Sequence, residues 1–363
     1  MALSPNYGWA EPDNSSLVKN GAQDIRALGD AIDTSLWNVG FGQAGKNKII
    51  NGDFGIWQRG TSFSNPSSSA YTADRWQVSH NGTGATRTIS QQTFTPGTAP
   101  VAGYEANFFY RYALSAVGTG NTYQLIQQPI EDVRTFAGQT VTLSFWAKAG
   151  SSATIQTDFD QYFGSGGSSD VYSAQASHSV TTSWTRFSQT VTLGTMTGKT
   201  IGAGSFLAPR ILPAAATTIT LDIWGVQVEY GSKATPFETA TGTIQGELAA
   251  CQRYCQMYQP TAGNTDYLVF GGTVDSSAYA RYPFVFPVVM RLAPTLTTSG
   301  TANNYANLNA SGRQLATAVP TLETARTFSA SVTCTSGGLS TGQATSFRNG
   351  DGTGGYLLFT AEL

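Results

Sequence analysis

Between Ile49 and Tyr230 apolar and polar residues alternate with period two, a repeat that restricts this stretch to half-buried strands. Val141, Leu143, Phe145 and Ala147 point one way, while Thr142, Ser144, Trp146 and Lys148 point the other. Phe108, Tyr110, Tyr112 and Leu114 repeat the pattern, as do Phe187, Val191 and Leu193. Gly- and Ser-rich turns separate these segments and no helical spacer intervenes, so the expectation is an antiparallel sandwich with no parallel sheet. Within Ile219 to Tyr230 the apolar parity switches from odd (Ile219, Leu221, Ile223) to even (Val226, Val228, Tyr230). One extra residue restores the inward set, which predicts a β-bulge near Trp224-Gly225.

Residues 1–43 have a different period. Val18, Ile25, Leu28, Ile32 and Leu36 recur at three- and four-residue steps or their multiples, which predicts a helix of roughly sixteen residues capped by Asn20 and ending near Gly40. An isolated helix of that length needs a partner for its apolar stripe. Copies of itself in a parallel bundle are an economical solution, and packing on its own domain is the other. Residues Phe41 to Lys48 are Gly-rich and read as a flexible joint. Ile244 to Tyr258 reads as a second helix, with Leu248, Cys251, Cys255 and Tyr258 on one face. Beyond it, Tyr282, Phe284, Phe286, Val288 and Met290 form one apolar face, while Pro283 and Pro287 predict the margin of a sheet.

A chain of 363 residues exceeds the usual single domain. The expected division is 1–43 for helical attachment, 44–240 for the main sandwich, 241–259 for a linking helix and 260–363 for a small distal β-sandwich. Only 12% of residues are charged and the net charge is -2, which argues against nucleic acid as partner. The odd set Cys251, Cys255 and Cys334 lacks a disulfide or zinc pattern, so buried free thiols made in a reducing cytosol are expected. No export signal and no apolar run of ~18 residues is present, so membrane insertion is not expected and release by lysis is.

Several motifs carry a resemblance. Asn47-Lys-Ile-Ile-Asn-Gly-Asp-Phe-Gly-Ile-Trp-Gln-Arg-Gly60 with Tyr71-Thr-Ala-Asp-Arg-Trp76 resembles the start of the jelly-roll module of bacteriophage tail fibres, itself similar to carbohydrate-binding modules. Gln161 to Asp170, Leu221 to Gly231 and Ala234 to Glu238 strengthen the likeness, and Cys251 to Tyr258 with Arg281 to Thr295 resembles the C-terminal part of such proteins. Leu17 to Asp33 resembles their virion-attachment segment. The resemblance implies Trp9, Val18, Ile25, Leu28, Ile32 and Leu36 in attachment and trimerisation, with a phage tail or adaptor protein as partner.

The best sugar-site candidate lies in Thr154 to Phe163. Ile155, Phe159 and Phe163 are its apolar face, leaving Gln156, Asp158, Asp160 and Tyr162 together on the other. Sugar hydroxyls suit such planar donors and acceptors, and sugar C–H faces suit aromatic rings. Trp146 extends that surface if the two strands are neighbours, whereas Trp57 and Trp76 are expected to seal the core. Carboxylates two apart on one strand stand ~6.6 to 6.8 Å apart at the backbone, a spacing compatible with an inverting glycosidase. An open surface, however, does not shift a carboxyl strongly, and a working pair needs one acid raised by burial. His80 and His178 in loop-like surroundings complete no catalytic triad. Gly194 to Thr200 has the wrong spacing for a phosphate loop, and the long repeats of a solenoid are absent. No cofactor is expected, although Asp-rich loops near Asp158 or Asp275 are compatible with calcium.

The expected function is therefore that of a homotrimeric, non-enzymatic phage tail fibre or receptor-binding protein on the virion that attaches to host-surface polysaccharide or lipopolysaccharide. The alternatives are a virion connector or decoration protein without glycan binding, and a polysaccharide-degrading tailspike.

Overall fold

The computed structural model describes residues 2–3, 9–11, 20–39, 45–101, 104–260, 267–350 and 354–363. At the N-terminus β1 (Ala2–Leu3) pairs with β2 (Ala10–Glu11), and α1 (Gly21–Val39) follows. The helix is 19 residues long, slightly longer than its apolar period predicts. Ile25 is 66% exposed, and Leu28 and Ile32 are half-buried. Val18 lies outside the described residues, as does the side chain of Leu36, and Trp9 is half-buried just before β2.

The central part of the chain is an antiparallel sandwich, as the alternation requires. Its strands are β3 (Ser62–Ser64), β4 (Ala70–Tyr71), β5 (Gln77–His80), β6 (Thr86–Thr93), β7 (Phe108–Ala116), β8 (Gln124–Gln127), β9 (Thr140–Ala149), β10 (Ala153–Tyr162), β11 (Val171–Tyr172), β12 (Ala176–Val180), β13 (Thr185–Thr192), β14 (Phe206–Leu212) and β15 (Ile219–Tyr230). One sheet has six strands in the order β13-β9-β15-β7-β6-β3. The other has seven, in the order β11-β10-β14-β8-β5-β4 with β12 also paired to β10. The inward residues of both sheets meet in one core that includes Phe54, Trp76, Tyr110, Phe145, Phe159 and Leu207. Trp57 and Trp76 close this core, their indole N–H groups donating to the carbonyls of Phe54 and Asn51.

The back of the six-stranded sheet is covered as well. Trp146, Trp224, Phe94, Phe109 and Phe237 form a second buried cluster there, since alternation points Trp224 outward and the bulge that follows returns Val226 to the core. The register slips by one residue between Trp224 and Gln227, and Gly225 sits at φ +64°, where a Cβ would stand 2.8 Å from the Trp146 ring. Val226 and Val228 regain the core, but Tyr230 ends 68% exposed because the strand runs past it. The segment after β15 is held across this back by Glu229, which accepts from the Thr235 amide at 2.8 Å and its hydroxyl at 2.6 Å.

The expected joint before the sandwich is fixed from Gly45 onward, residues 41–44 lying outside the described residues. Buried Asn47 donates to the carbonyls of Val226 (3.2 Å) and Glu238 (2.9 Å) and accepts from the Ile49 and Val228 amides. Four hydrogen bonds from one side chain leave that stretch no freedom.

The second helix is shorter than its apolar spacing predicts. α2 (Ile244–Gln252) is capped by Thr243, whose hydroxyl accepts from the Gly246 amide. The chain then turns at Arg253-Tyr254 into β16 (Cys255–Tyr258). Cys251 is buried on the helix and Cys255 on the strand, so the shared helical face does not form; Leu248 is 38% exposed. All three cysteines are free and buried.

The remaining strands are β17 (Tyr267–Ser276), β18 (Tyr279–Val285), β19 (Thr295–Thr298), β20 (Tyr305–Asn309), β21 (Gly312–Leu315), β22 (Thr321–Arg326), β23 (Ser329–Thr335), β24 (Ala344–Asn349) and β25 (Leu357–Thr360). They form a seven-stranded antiparallel sheet, β21-β20-β24-β17-β18-β23-β22, and with β16 a three-stranded one, β16-β25-β19. Tyr282, Phe284, Phe286 and Met290 lie in their common core, with Val288 half-buried. β18 is central, contrary to the margin that its prolines predict. Its ladder with β17 stops at Arg281, so Pro283 meets no neighbour on that side, and Pro287 lies beyond the strand.

The chain end returns to the sandwich. After β25, Glu362 pairs with Arg59 at 2.6 Å and with Arg75, and the Tyr71 hydroxyl donates to the Leu363 carbonyl at 3.0 Å. Arg75 is buried, with its guanidinium 3.6 Å from the centre of the Tyr254 ring.

Candidate functional site

The alternation of β10 places Gln156, Asp158, Asp160 and Tyr162 on the outer face of the seven-stranded sheet, with Ile155 and Phe159 in the core. Register then decides their partners. Asp158 stands opposite Arg210, Asp160 opposite Ala208, Gln156 opposite Leu212 and Tyr162 opposite Phe206. Arg210 is opposite Gln127, which is opposite Gln77 in turn, so a polar row crosses the sheet. Its amides bond to each other at 2.5 Å.

The Asp158 carboxylate is engaged in a fork. Arg210 Nε and Nη2 donate to Oδ1 and Oδ2 at 2.6 and 2.7 Å, and Gln175 Nε2 donates to Oδ2 at 3.2 Å. This leaves Asp158 on a strand, in an ion pair, and not in a calcium-binding loop. Asp275, the other position considered, pairs with Arg281 at 2.5 Å. Among the described residues no group of three or more His, Cys, Asp and Glu side chains converges as metal ligands.

Asp160 is different. It is 8% exposed, its Oδ2 lies 3.7 Å from Arg210 Nη1, and Oδ1 has no hydrogen-bond partner among the described residues. Burial lifts its carboxyl to about 7, against the pull of Arg210 and with smaller pushes from Asp170 and Asp158. The expectation that this face is too open to shift a carboxyl therefore fails: β11 pairs beside the strand with Tyr172 opposite Asp160, Gln175 reaches the neighbouring Asp158, and the Asp160 side chain is left largely out of water.

Two hollows open on this face. One of about 510 Å³ is lined by Asp160, Arg210, Tyr172, Gln175, Tyr123 and Gln127, among others. Its neighbour, of about 520 Å³, contains Gln156 and Thr154 and shares Tyr123, Gln175 and Leu212 with the first. Together they make one groove across β10, β14 and β8. Tyr123 (42% exposed) and Tyr172 (54% exposed) present rings to solvent beside it, and the Arg210 guanidinium lies 4.4 Å from the Tyr172 ring centre. Burial and the neighbouring Asp160 and Asp170 raise the Tyr172 phenol, which stays protonated as a donor to Asp170 at 3.2 Å.

Not every candidate joins the groove. Trp146 is on β9, in the opposite sheet, where it packs against Trp224 with the Arg186 guanidinium 4.6 Å from its ring; it extends no sugar surface. Tyr162 turns to Phe206, ring centres 4.8 Å apart, and does not line either hollow. His178 is on β12 and His80 ends β5, so neither is in a loop; His178 is buried against Thr157 at 2.8 Å. Tyr123, Tyr172, Gln175 and Arg210 are the groove residues that sequence reasoning missed. Arg210 carried a signal, because it is the one charge in the strand Phe206 to Leu212 and calls for a carboxylate. The tyrosines sit in short polar stretches without period and carried none.

A third hollow, of about 540 Å³, lies between Asp53, Tyr104 and the start of α2. Its buried Glu247 is consumed structurally, accepting from the Asn51 and Thr241 amides at 2.7 Å each. Burial raises the Asp53 carboxyl there.

No protein-family model matches the chain, and no curated protein matches it. Solved structures are similar over about half of it. The enzymatically active domain of bacteriophage CBA120 tailspike protein 4 is 15% identical over 51% of this chain and 22% of that one, with a TM-score of 0.33. The chain thus spans about a fifth of that domain's length. A family 11 carbohydrate-binding module from Clostridium thermocellum is 11% identical over 48% and 98%, at 0.31. A cyclase from Fischerella sp. TAU is 12% identical over 52% and 98%, at 0.36.

Proposed function

We propose that this protein is a glycan-binding adhesin of a phage virion, a tail fibre or receptor-binding protein, which grips host-surface polysaccharide or lipopolysaccharide in the groove of the seven-stranded sheet. The observation that carries this reading is the pairing of two exposed tyrosine rings, Tyr123 and Tyr172, with a floor of fixed planar polar groups, Gln156, Asp160, Gln175 and Arg210. Rings supply a face for sugar C–H groups and the floor supplies hydroxyl partners. The floor is held before any ligand arrives, since the Asp158 fork fixes Arg210 and Gln175.

The same fork favours holding over cutting. Asp160 has the raised carboxyl that a general acid needs, but a second carboxylate must be free to act on water or sugar. Both Asp158 oxygens are occupied by Arg210. We therefore read the groove as non-enzymatic.

Attachment belongs to α1. Ile25 is exposed on a helix of 19 residues, and burial of that stripe among three copies, with the preceding segment docked on a tail or adaptor protein, accounts for it. Three shallow sites on one trimer raise overall affinity ~100-fold or more when they engage together. Competition for adsorption tests the whole reading. Purified protein at micromolar concentration is expected to block attachment of the phage that carries it, and Tyr123→Ala protein is expected to block poorly. Protein that leaves adsorption unchanged would favour a connector role.

A further inference from the structure

The groove has a charge balance of its own. Arg210 is the single cation in its lining, and its charge is already matched by Asp158 through two hydrogen bonds. What remains facing the hollow is the Asp160 carboxyl, with Asp170 exposed just beyond and tied to Tyr172. A carboxylated, sulfated or sialylated sugar entering here meets two more carboxyl groups, Asp160 and Asp170, and a guanidinium already engaged by Asp158. A neutral sugar meets, at the floor, an oxygen that no protein group satisfies. Asp160 Oδ1 is sealed inside the sheet, whereas Oδ2 keeps accessible surface and makes no hydrogen bond among the described residues, so Oδ2 is the oxygen that a ligand can meet.

Resting on the glycan-binding reading, we propose that the groove selects uncharged glycans and that Asp160 is the residue that reads them, its Oδ2 accepting a hydrogen bond from a ring hydroxyl of a sugar seated against Tyr172. Arg210 Nη1 stands 3.7 Å from Oδ2, too far for a hydrogen bond, which leaves that oxygen open to a sugar hydroxyl. The groups that face Asp160 are Asp158 on its own strand, Arg210 on β14, Tyr172 on β11 and Asp170 just before it. Burial places the titration of Asp160 itself at about 7. An accepting carboxylate binds better ionised, so affinity for a neutral glycan rises as pH increases through about 7 and levels off above it.

A glycan array of matched pairs tests this, each neutral oligosaccharide beside its uronic-acid, sulfated or sialylated counterpart. Wild-type protein is expected to bind neutral members at least tenfold better than their charged partners, and more tightly at pH 8 than at pH 6. Asp160→Ala loses about tenfold or more, the loss of one hydrogen bond to a charged group. Asp160→Asn, which keeps the shape and one oxygen, binds with no pH dependence between 6 and 8. Equal or stronger binding of the charged members overturns the selection. Unchanged affinity and pH profile in both variants, with native circular dichroism, overturns the role of Asp160. If no glycan binds at all, the adhesin reading falls along with this one, whereas the first two results leave it standing.

Discussion

Glu362→Gln tests whether the chain end holds the two β units together. In the native protein this carboxylate accepts from Arg59 and Arg75, whose side chains are 9% and 1% exposed. The substitution keeps the shape and one acceptor, but leaves two buried guanidinium groups with a single nearby carboxylate, Asp74, at 3.7 Å from Arg59. Removing one partner of a buried ion pair costs ~3–5 kcal/mol, because a charge stays behind without compensation. An unfolding entropy of about 2.1 cal/mol/K per residue makes the 363-residue chain ~0.8 kcal/mol/K, so melting as one unit should fall by ~4–7 °C. Differential scanning calorimetry reads this directly. Arg59→Gln combined with Glu362→Gln should cost less than the sum of the two, since the double variant removes one stranded charge. A Glu362→Gln protein that melts within 1 °C of wild type would refute the reasoning.

Asp160 makes stability depend on pH in a defined direction. Its folded carboxyl is raised from 3.8 to about 7, so the folded state holds a proton that the unfolded chain has lost, and stability falls as pH rises between those values. Asp160→Asn should flatten that slope in urea titrations at pH 5 and pH 8, with ~4 kcal/mol as the ceiling of the effect. Gly225→Ala should destabilise by ~1–3 kcal/mol, because φ is +64° and the new methyl meets the Trp146 ring; denaturant midpoints would measure it. Light scattering should report three chains per particle for the full protein and fewer for Ile25→Glu, and a wild-type monomer would remove the bundle. Cys251, Cys255 and Cys334 should resist a thiol reagent until urea unfolds the chain, since burial raises all three thiols.

What could be seen in the sequence was whatever depends on local period. The strand faces of β9, β10 and β15 and the bulge at Gly225 follow from parity alone, because a pleat sends neighbouring side chains to opposite sides. The helix at 244 was legible at its start, where Thr243 caps it, but not at its end. Cys255 and Tyr258 sit at helical spacing by coincidence and are claimed by β25 through a ladder about a hundred residues distant. Trp146 was misplaced for a related reason: alternation shows that it points away from the core, but not that aromatic rings from 94, 109 and 237 cover the back of its sheet. The groove was half legible. Its carboxylates lie on one strand, whereas Arg210, Tyr123 and Tyr172 come from three other segments that only the register brings alongside.

That cluster of rings on the back has a consequence for how such a protein changes over time. With one broad surface of the sandwich sealed by its own tryptophans, the proposed groove has only the outer face of the other sheet on which to lie. On the reading proposed above, substitutions in the short stretches around residues 123 and 172 would retune what is held without disturbing the fold, whereas those behind the six-stranded sheet would unmake it.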